Sequence, residues 1–192
     1  MSVTAKKQTK VPLINGIDTQ ELSQVIEEVR QDPAKGLTRW GVTTSWDGGT
    51  RTNTRVRSFE IGGKKVDKNF TIYTDEPFEL GGTNLYANPQ ETLMAAFNSC
   101  MMVGYVALAS LEGITLDEVR IETKGDLDLR GFLNLDPKVK AGYDEIEYKV
   151  TIRGNGTPEQ FQKIHEGVMA TSPNRFNIAN PVRLKAQLVV EE

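Results

Sequence analysis

The sequence predicts an α+β fold in which antiparallel strands form a sheet with helices on one face. Two features indicate it. Apolar and charged residues alternate with a period of two over 119–129 and again over 146–152, which is the pattern of strands with one solvated face. Residues 92–111 form one long segment without a charge, and a helix that is apolar nearly all round is typical of the buried centre of a protein.

The composition excludes several classes of function. The chain has 192 residues, with 23 Lys and Arg against 26 Asp and Glu, so it lacks the basic excess of a nucleic-acid-binding protein. Cys100 is the only cysteine and cannot form an intrachain disulfide, which favours a reducing cytoplasm. Residues 1–10 precede no apolar stretch of signal-peptide length and are expected to be a frayed tail. The length predicts one domain at 39–192, preceded by a tail and helical arm at 1–38.

The uncharged segment is also as long as a membrane span. It contains Asn98, Ser99 and Ser110, and Glu91 and Glu112 flank it instead of Lys or Arg. These residues favour a core helix, so no membrane partner is expected.

The first elements have clear local signals. Asp18 or Thr19 caps an amphipathic helix that ends near Asp32-Pro33. Strands are predicted at 39–46 and 52–61, joined by a turn at Asp47-Gly48-Gly49, and a further turn at Gly62-Gly63 leads to a short strand around Phe70 and Ile72. An irregular segment at 75–87 then precedes the central helix.

The remaining elements are two helices and three strands. Asn88, Pro89 and Glu91 match a capping box at the start of the central helix, and Gly113 supplies its end. The two alternating strands follow, then a second helix at 157–170, a helical restart at Ser172-Pro173 and a closing strand with apolar residues at 184, 186, 188 and 190. A helix that is apolar on every side needs more cover than one small sheet, so a second subunit is expected.

The sequence around the central helix resembles the OsmC-like family, the osmotically inducible protein C and organic hydroperoxide resistance proteins. The resemblance rests on four spaced motifs: Gly81-Gly82-Thr83, Asn88-Pro89-Gln90-Glu91, Ala95-Ala96 and Ser99-Cys100-Met101. It continues to Asn180-Pro181-Val182. It implies an intertwined homodimer that reduces organic hydroperoxides with a cysteine thiolate.

The resemblance assigns roles to particular residues. Cys100 matches the attacking cysteine, and the activating arginine is expected to be Arg51, with Arg55 and Arg57 as alternates. The family's acidic partner lies ten residues before the cysteine, where this chain has Gln90, with Glu91 beside it. Its resolving cysteine lies before the proline after the second helix, where this chain has Ser172. Because a hydroxyl cannot form a disulfide, an external thiol would have to reduce oxidised Cys100.

Two functions are therefore open. The first is a single-cysteine peroxidase that reduces organic hydroperoxides in defence against oxidative stress; the second is a catalytically inactive OsmC-like protein that binds a small molecule or is associated with stress. The expected small-molecule partner is an organic hydroperoxide or another apolar compound. Cysteine–histidine catalysis would have to use His165, the only histidine, which is expected to be a surface residue of its amphipathic helix. One cysteine and one histidine fall short of a zinc site, and the glycine pairs form no phosphate-binding motif. No cofactor is predicted.

Overall fold

The computed structural model describes residues 13–191, so the predicted frayed tail lies outside the described residues. In chain order the elements are α1 (Thr19–Gln31), β1 (Thr38–Trp40), β2 (Thr43–Trp46), β3 (Thr52–Ile61), β4 (Lys64–Thr74), α2 (Pro89–Leu111), β5 (Leu116–Lys124), α3 (Leu129–Phe132), β6 (Glu147–Gly154), α4 (Pro158–Thr171) and α5 (Pro173–Ala179). Short 3₁₀ turns lie at Pro33–Gly36 and Phe78–Leu80. One compact unit runs to Met94 and includes Ser110–Thr115; the other contains Ala95–Ala109 and the chain from Leu116 onward. The division into 1–38 and 39–192 stays a prediction.

The first unit contains an antiparallel four-stranded sheet centred on β3. β4 pairs with one edge of β3, and β1 and β2 share the other. The predicted continuous strand at 39–46 is wrong, because the pairing register changes by one residue between Trp40–Phe59 and Thr43–Arg55. The ladder is interrupted there at residues 41 and 42. The strand predicted as short around Phe70 is the 11-residue β4, since the turn at 62–63 folds it back along the whole of β3.

A buried carboxylate holds the irregular segment before α2. Asp75 is 1% exposed and accepts hydrogen bonds from the hydroxyls of Thr50 (2.6 Å) and Thr83 (2.5 Å) and from the amide of Leu85 (3.3 Å). These hydroxyl bonds hold the pKa of Asp75 well below its usual range. The segment is also tightly packed at Gly82, where an added Cβ would lie 1.7 Å from the carbonyl oxygen of Glu76. The loop that leads to α2 is therefore fixed by specific contacts.

The predicted capping box of the central helix is confirmed. The side chain of Asn88 accepts from the Glu91 amide, and the Glu91 carboxylate accepts from the Asn88 amide, both at 2.8 Å. The helix is long and apolar enough to cross a bilayer by length and composition alone. One face is buried by residues spaced four apart, Phe97, Met101, Tyr105 and Ala109. Apolar side chains elsewhere on the helix are exposed, such as Val103 at 69%.

The second unit places helices on one face of the β5–β6 pair, as predicted. The Phe97 ring of α2 lies edge-on to Tyr148 of β6, with 5.1 Å between centroids. The side-chain oxygen of Asn98 accepts from the Thr123 hydroxyl of β5 at 2.5 Å. The capping box of α4 is formed between Thr157 and Gln160, and α5 confirms the predicted helical restart.

The strands form a four-stranded and a two-stranded antiparallel sheet among the described residues. Two further strand predictions are wrong. β5 ends at Lys124 and not at 129, because β6 begins opposite it at Glu147 and offers no partner beyond. The closing strand is absent: residues 181–191 have no regular secondary structure, and Leu184 and Leu188 are 88% and 87% exposed. Alternation favours a strand, but a strand also needs a neighbour for its backbone, and no described strand pairs with this segment.

Candidate functional site

The thiol of Cys100 lies beside a buried hydroxyl. Cys100 is in the middle of α2 and is partly buried. The hydroxyl of Ser172 donates a hydrogen bond to its sulfur at 3.4 Å, and Ser172 is 6% exposed. Of the residues named from the sequence, Cys100 and Ser172 are therefore brought together, although 72 positions separate them.

The junction between α4 and α5 fixes the position of Ser172. Its amide donates to the carbonyl of Val168 at the end of α4 at 3.0 Å, and its Oγ caps α5 by accepting from the Arg175 amide at 3.5 Å. Asn174 donates to the carbonyl of Ala96 on α2 at 2.8 Å. Because Pro173 starts the new helix without needing an amide donor, the chain turns directly after Ser172. The hydroxyl thus has two roles, as a helix cap and as a donor to sulfur.

Close packing of α4 on α2 surrounds this junction. A Cβ added at Gly104 would lie 3.1 Å from a methyl group of Val168, and one added at Gly167 would lie 3.0 Å from Leu108. The glycines therefore allow the two helices to approach closely. His165 lies one helical turn before Val168 on α4. Its Nδ1 is hydrogen-bonded to the hydroxyl of Tyr105 at 2.5 Å. His165 is half-buried and paired with a side chain 60 positions away, so it is more enclosed than the surface histidine that was expected.

The three candidate arginines belong to the first unit. The guanidinium of Arg51 donates from Nε and Nη2 to the carbonyl of Asp47, at 3.3 Å each, within the turn that precedes β3. Arg55 and Arg57 are exposed on β3. The structure does not test the expected activation of Cys100 by one of them, and that role stays a prediction.

Gln90 and Glu91 lie in the first turn of α2. The carboxylate of Glu91 closes the capping box described above, which accounts for its presence without a catalytic role. Gln90 is exposed and makes no hydrogen bond through its side chain among the described residues.

Sequence reasoning missed Arg175, which lies at the same junction as Ser172. It is half-buried, and its Nη1 donates to the carbonyl of Met169 at 2.8 Å. The signal was present: a serine before a proline marks a helix cap, so the third residue of that helix must lie close to the serine side chain. Within residues 13–191, no group of three or more potential metal ligands occurs.

Comparisons with known proteins agree with this fold. Solved structures similar to the chain include an OsmC-like protein from Mycoplasma pneumoniae (TM-score 0.58, 13% identity, 74% of this chain and 89% of the other). Another is an osmotic stress induced and detoxification response protein from Psychrobacter arcticus (TM-score 0.56, 18% identity, 73% of this chain and 88% of the other). An OsmC-like protein of unknown function from Vibrio cholerae is also similar (0.50, 14%, 72% and 92%). No curated protein matches the sequence. The sequence model of the family described as OsmC-like protein matches residues 82–187. That match covers more than half of the chain, which therefore belongs to the OsmC-like family.

Proposed function

We propose that the protein reduces organic hydroperoxides through Cys100 and an external thiol, in defence against oxidative stress. The observation that carries the proposal is the hydrogen bond from the buried Ser172 hydroxyl to the Cys100 sulfur at 3.4 Å. The contact places a hydroxyl donor against the sulfur that the proposal makes the nucleophile. Family membership supports the proposal as well.

The reaction has two stages. The Cys100 thiolate attacks the outer oxygen of the hydroperoxide, the O–O bond breaks, and the leaving alkoxide takes a proton to become an alcohol. The sulfur is left as a sulfenic acid. A first external thiol displaces water from it to give a mixed disulfide, and a second thiol releases Cys100 together with an external disulfide. Because position 172 holds a serine, the chain cannot form the disulfide between these two positions itself.

The test is to trap the sulfenic acid. Protein treated with cumene hydroperoxide and dimedone is expected to gain one adduct at Cys100 by mass spectrometry, and Cys100→Ala none. Ser172→Ala removes the donor but no thiol, and should react roughly two- to tenfold more slowly, in line with the loss of about 0.5–1.5 kcal/mol of hydrogen bonding to the reacting sulfur. Wild-type protein that forms no adduct while it turns over no peroxide would refute the proposal.

A second candidate function is a family member that binds a small molecule without redox turnover. The observation that favours it is the engagement of Arg51 with the backbone of its own turn, together with the serine at position 172. Under this function, cumene hydroperoxide leaves Cys100 as a free thiol.

We also propose that the protein is a homodimer. The support is the exposed apolar surface of α2 and of the segment at 184–190. Val103, Leu184, Leu188 and Val190 are each at least 69% exposed, and clustered exposed apolar side chains mark a surface that another protein covers. Light scattering should give twice the chain mass. Leu188→Lys is expected to weaken the dimer, and Gln187→Lys, with the same charge on the opposite face of the alternation, should not. A monomeric wild-type mass would remove the proposal.

A further inference from the structure

A separate cleft in the second unit lies between β6 and α4, with a volume of about 480 Å³. Its walls are formed mainly by Tyr148, Val150 and Ile152 of β6, by Phe161 and His165 of α4, and by Tyr105 of α2. We propose that this cleft binds a small neutral carbonyl compound with an aromatic group, whose oxygen accepts a hydrogen bond from Nε2 of His165. The site does not involve Cys100, and the inference is independent of the peroxidase proposal.

The bond to Tyr105 determines which nitrogen of His165 carries the proton. Burial, together with the neighbouring Tyr148 phenol, raises the pKa of Tyr105 to about 12, so the phenol is protonated at neutral pH. Because Tyr105 is 1% exposed and Nδ1 of His165 is the one hydrogen-bond partner of its hydroxyl within residues 13–191, we assign the hydroxyl as the donor in this 2.5 Å contact. Nδ1 is therefore the acceptor, and the proton of the ring resides on Nε2. The imidazole is fixed as a donor on its other side.

That donor is open to the cleft. No described side chain or backbone group accepts from Nε2 of His165, and no fully buried side-chain nitrogen or oxygen in residues 13–191 lacks a partner. Nε2 is therefore reachable from the space that the ring borders. A single N–H donor in a largely apolar wall is suited to a ligand that combines one acceptor oxygen with an apolar group. The oxygen accepts the hydrogen bond, and the apolar group packs against the wall.

The lining also determines the charge and shape of the ligand. None of the residues around the cleft is an aspartate, glutamate, lysine or arginine. An anionic ligand would lose its hydration without gaining an ion pair, so a neutral acceptor is favoured. Phe161 and Tyr148 offer flat surfaces for an aromatic ring. Tyr148 donates its own proton to the sulfur of Met169 at 2.7 Å, and the Gln162 amide at the edge of the cleft donates to the Glu166 carboxylate at 2.9 Å. His165 is therefore the lining donor that has no acceptor of its own among the described residues.

The experiment uses the full chain with Cys100→Ala, so that thiol chemistry cannot contribute. Acetophenone is the probe, and cumene, which has a similar size but no acceptor, is its matched control. Both are followed by amide shifts of Val150 and Ile152 in NMR spectra. The single histidine makes the ring ¹⁵N signal of His165 unambiguous. Acetophenone should bind roughly three- to tenfold more tightly than cumene, as expected for one neutral hydrogen bond, and only acetophenone should shift the Nε2 signal.

Two substitutions of the histidine separate its two nitrogens. His165→Asn keeps an acceptor near the Tyr105 hydroxyl but removes the outer donor, so acetophenone should bind only as weakly as cumene. His165→Gln retains a donor near the Nε2 position and should preserve the preference. Val150→Phe fills the cleft and should abolish binding of both probes. Equal binding of the two probes to the unsubstituted site, no binding of either, or binding that survives Val150→Phe would overturn the proposal.

The result can be distinguished from failure of the peroxidase proposal. Dimedone labelling reports on Cys100 alone, whereas acetophenone binding is measured in protein without that thiol. A protein that binds acetophenone but forms no sulfenic acid would support the cleft and remove the redox function. Labelling without binding would do the reverse.

Discussion

Ser172→Cys converts the contact beside Cys100 into a measurable covalent bond. The present oxygen–sulfur distance is 3.4 Å, and a disulfide requires about 2.05 Å between sulfurs, so the two groups need to approach by little more than an ångström. After one equivalent of cumene hydroperoxide, the sulfenic acid at Cys100 should be attacked by the new thiol, with loss of water. The product is a bond that closes a loop across 72 positions.

The loop length sets the size of the effect. Closing a loop of this length lowers the entropy of the unfolded chain by an amount worth about 4 kcal/mol at 25 °C. With a urea dependence of about 2 kcal/mol per molar, the midpoint of unfolding should rise by about 2 M when the oxidised variant is compared with its reduced form. The reduced variant should lie below wild type by up to about 1 kcal/mol, because a thiol is a poorer helix cap than the Ser172 hydroxyl.

The controls isolate the intramolecular bond. Ser172→Cys combined with Cys100→Ala has one thiol and should show no change in midpoint on oxidation. Mass spectrometry should find the loss of two hydrogens within a single chain. Cross-links found only between chains, or an oxidised variant with an unchanged midpoint, would show that the 3.4 Å contact is not maintained in solution and would remove the basis for the role of Ser172.

Two further predictions concern the segment that leads to α2. Asp75→Asn should destabilise the protein most at neutral pH. Because the folded pKa of Asp75 lies below its unfolded value, its contribution is present above about pH 4 and is lost as the pH falls through the folded pKa, so the stabilities of wild type and variant measured by urea unfolding should converge in acid. Gly82→Ala should cost about 1–3 kcal/mol or more, since its Cβ would meet the Glu76 carbonyl at 1.7 Å. Gly41→Ala, which meets nothing within 4 Å, is the matched control and should change unfolding by less than about 0.5 kcal/mol.

The features that were predicted correctly depend on local chemistry. The capping box of Asn88 and Glu91 and the stop at Gly113 follow from a few adjacent residues, and the structure has both. The position of Ser172 was expected only through family resemblance, and its contact with Cys100 arises from the turn between α4 and α5. Local signals define where a helix begins and ends, which is enough to place the site on α2 and α4.

The predictions that failed depend on distant partners. His165 is next to the apolar stripe of α4. The sequence does not show that it will form a hydrogen bond with Tyr105, which lies 60 positions away. The segment at 184–190 has the alternation of a strand, yet pairing is a property of two segments and not of one. The role expected of Arg51 stays a prediction, because local sequence does not determine which charged side chain lies beside a distant sulfur.

The packing of α4 on α2 links the two sites and can be tested directly. Cys100 and Tyr105 lie on α2, while His165 lies on α4 and Ser172 directly follows it. The close contact between Gly104 of α2 and Val168 of α4 lies between these two pairs. Gly104→Ala should gain about 1 kcal/mol in helix propensity. However, its Cβ would lie 3.1 Å from a methyl group of Val168, which is fully buried, and such overpacking costs about 1–3 kcal/mol.

The overpacking cost of about 1–3 kcal/mol equals or exceeds the propensity gain of about 1 kcal/mol, and a double-mutant cycle can separate the two effects. Val168→Ala alone should cost about 2–3 kcal/mol by leaving a cavity, but in a Gly104→Ala background it removes the clash and should cost at least about 1 kcal/mol less. Gly104→Ala should also slow dimedone labelling of Cys100 and weaken acetophenone binding together, because both depend on the same helix spacing. If the changes in unfolding free energy of Gly104→Ala and Val168→Ala were additive, α2 and α4 would be able to move apart without cost. The contact between Gly104 and Val168 would then not fix the position of either site.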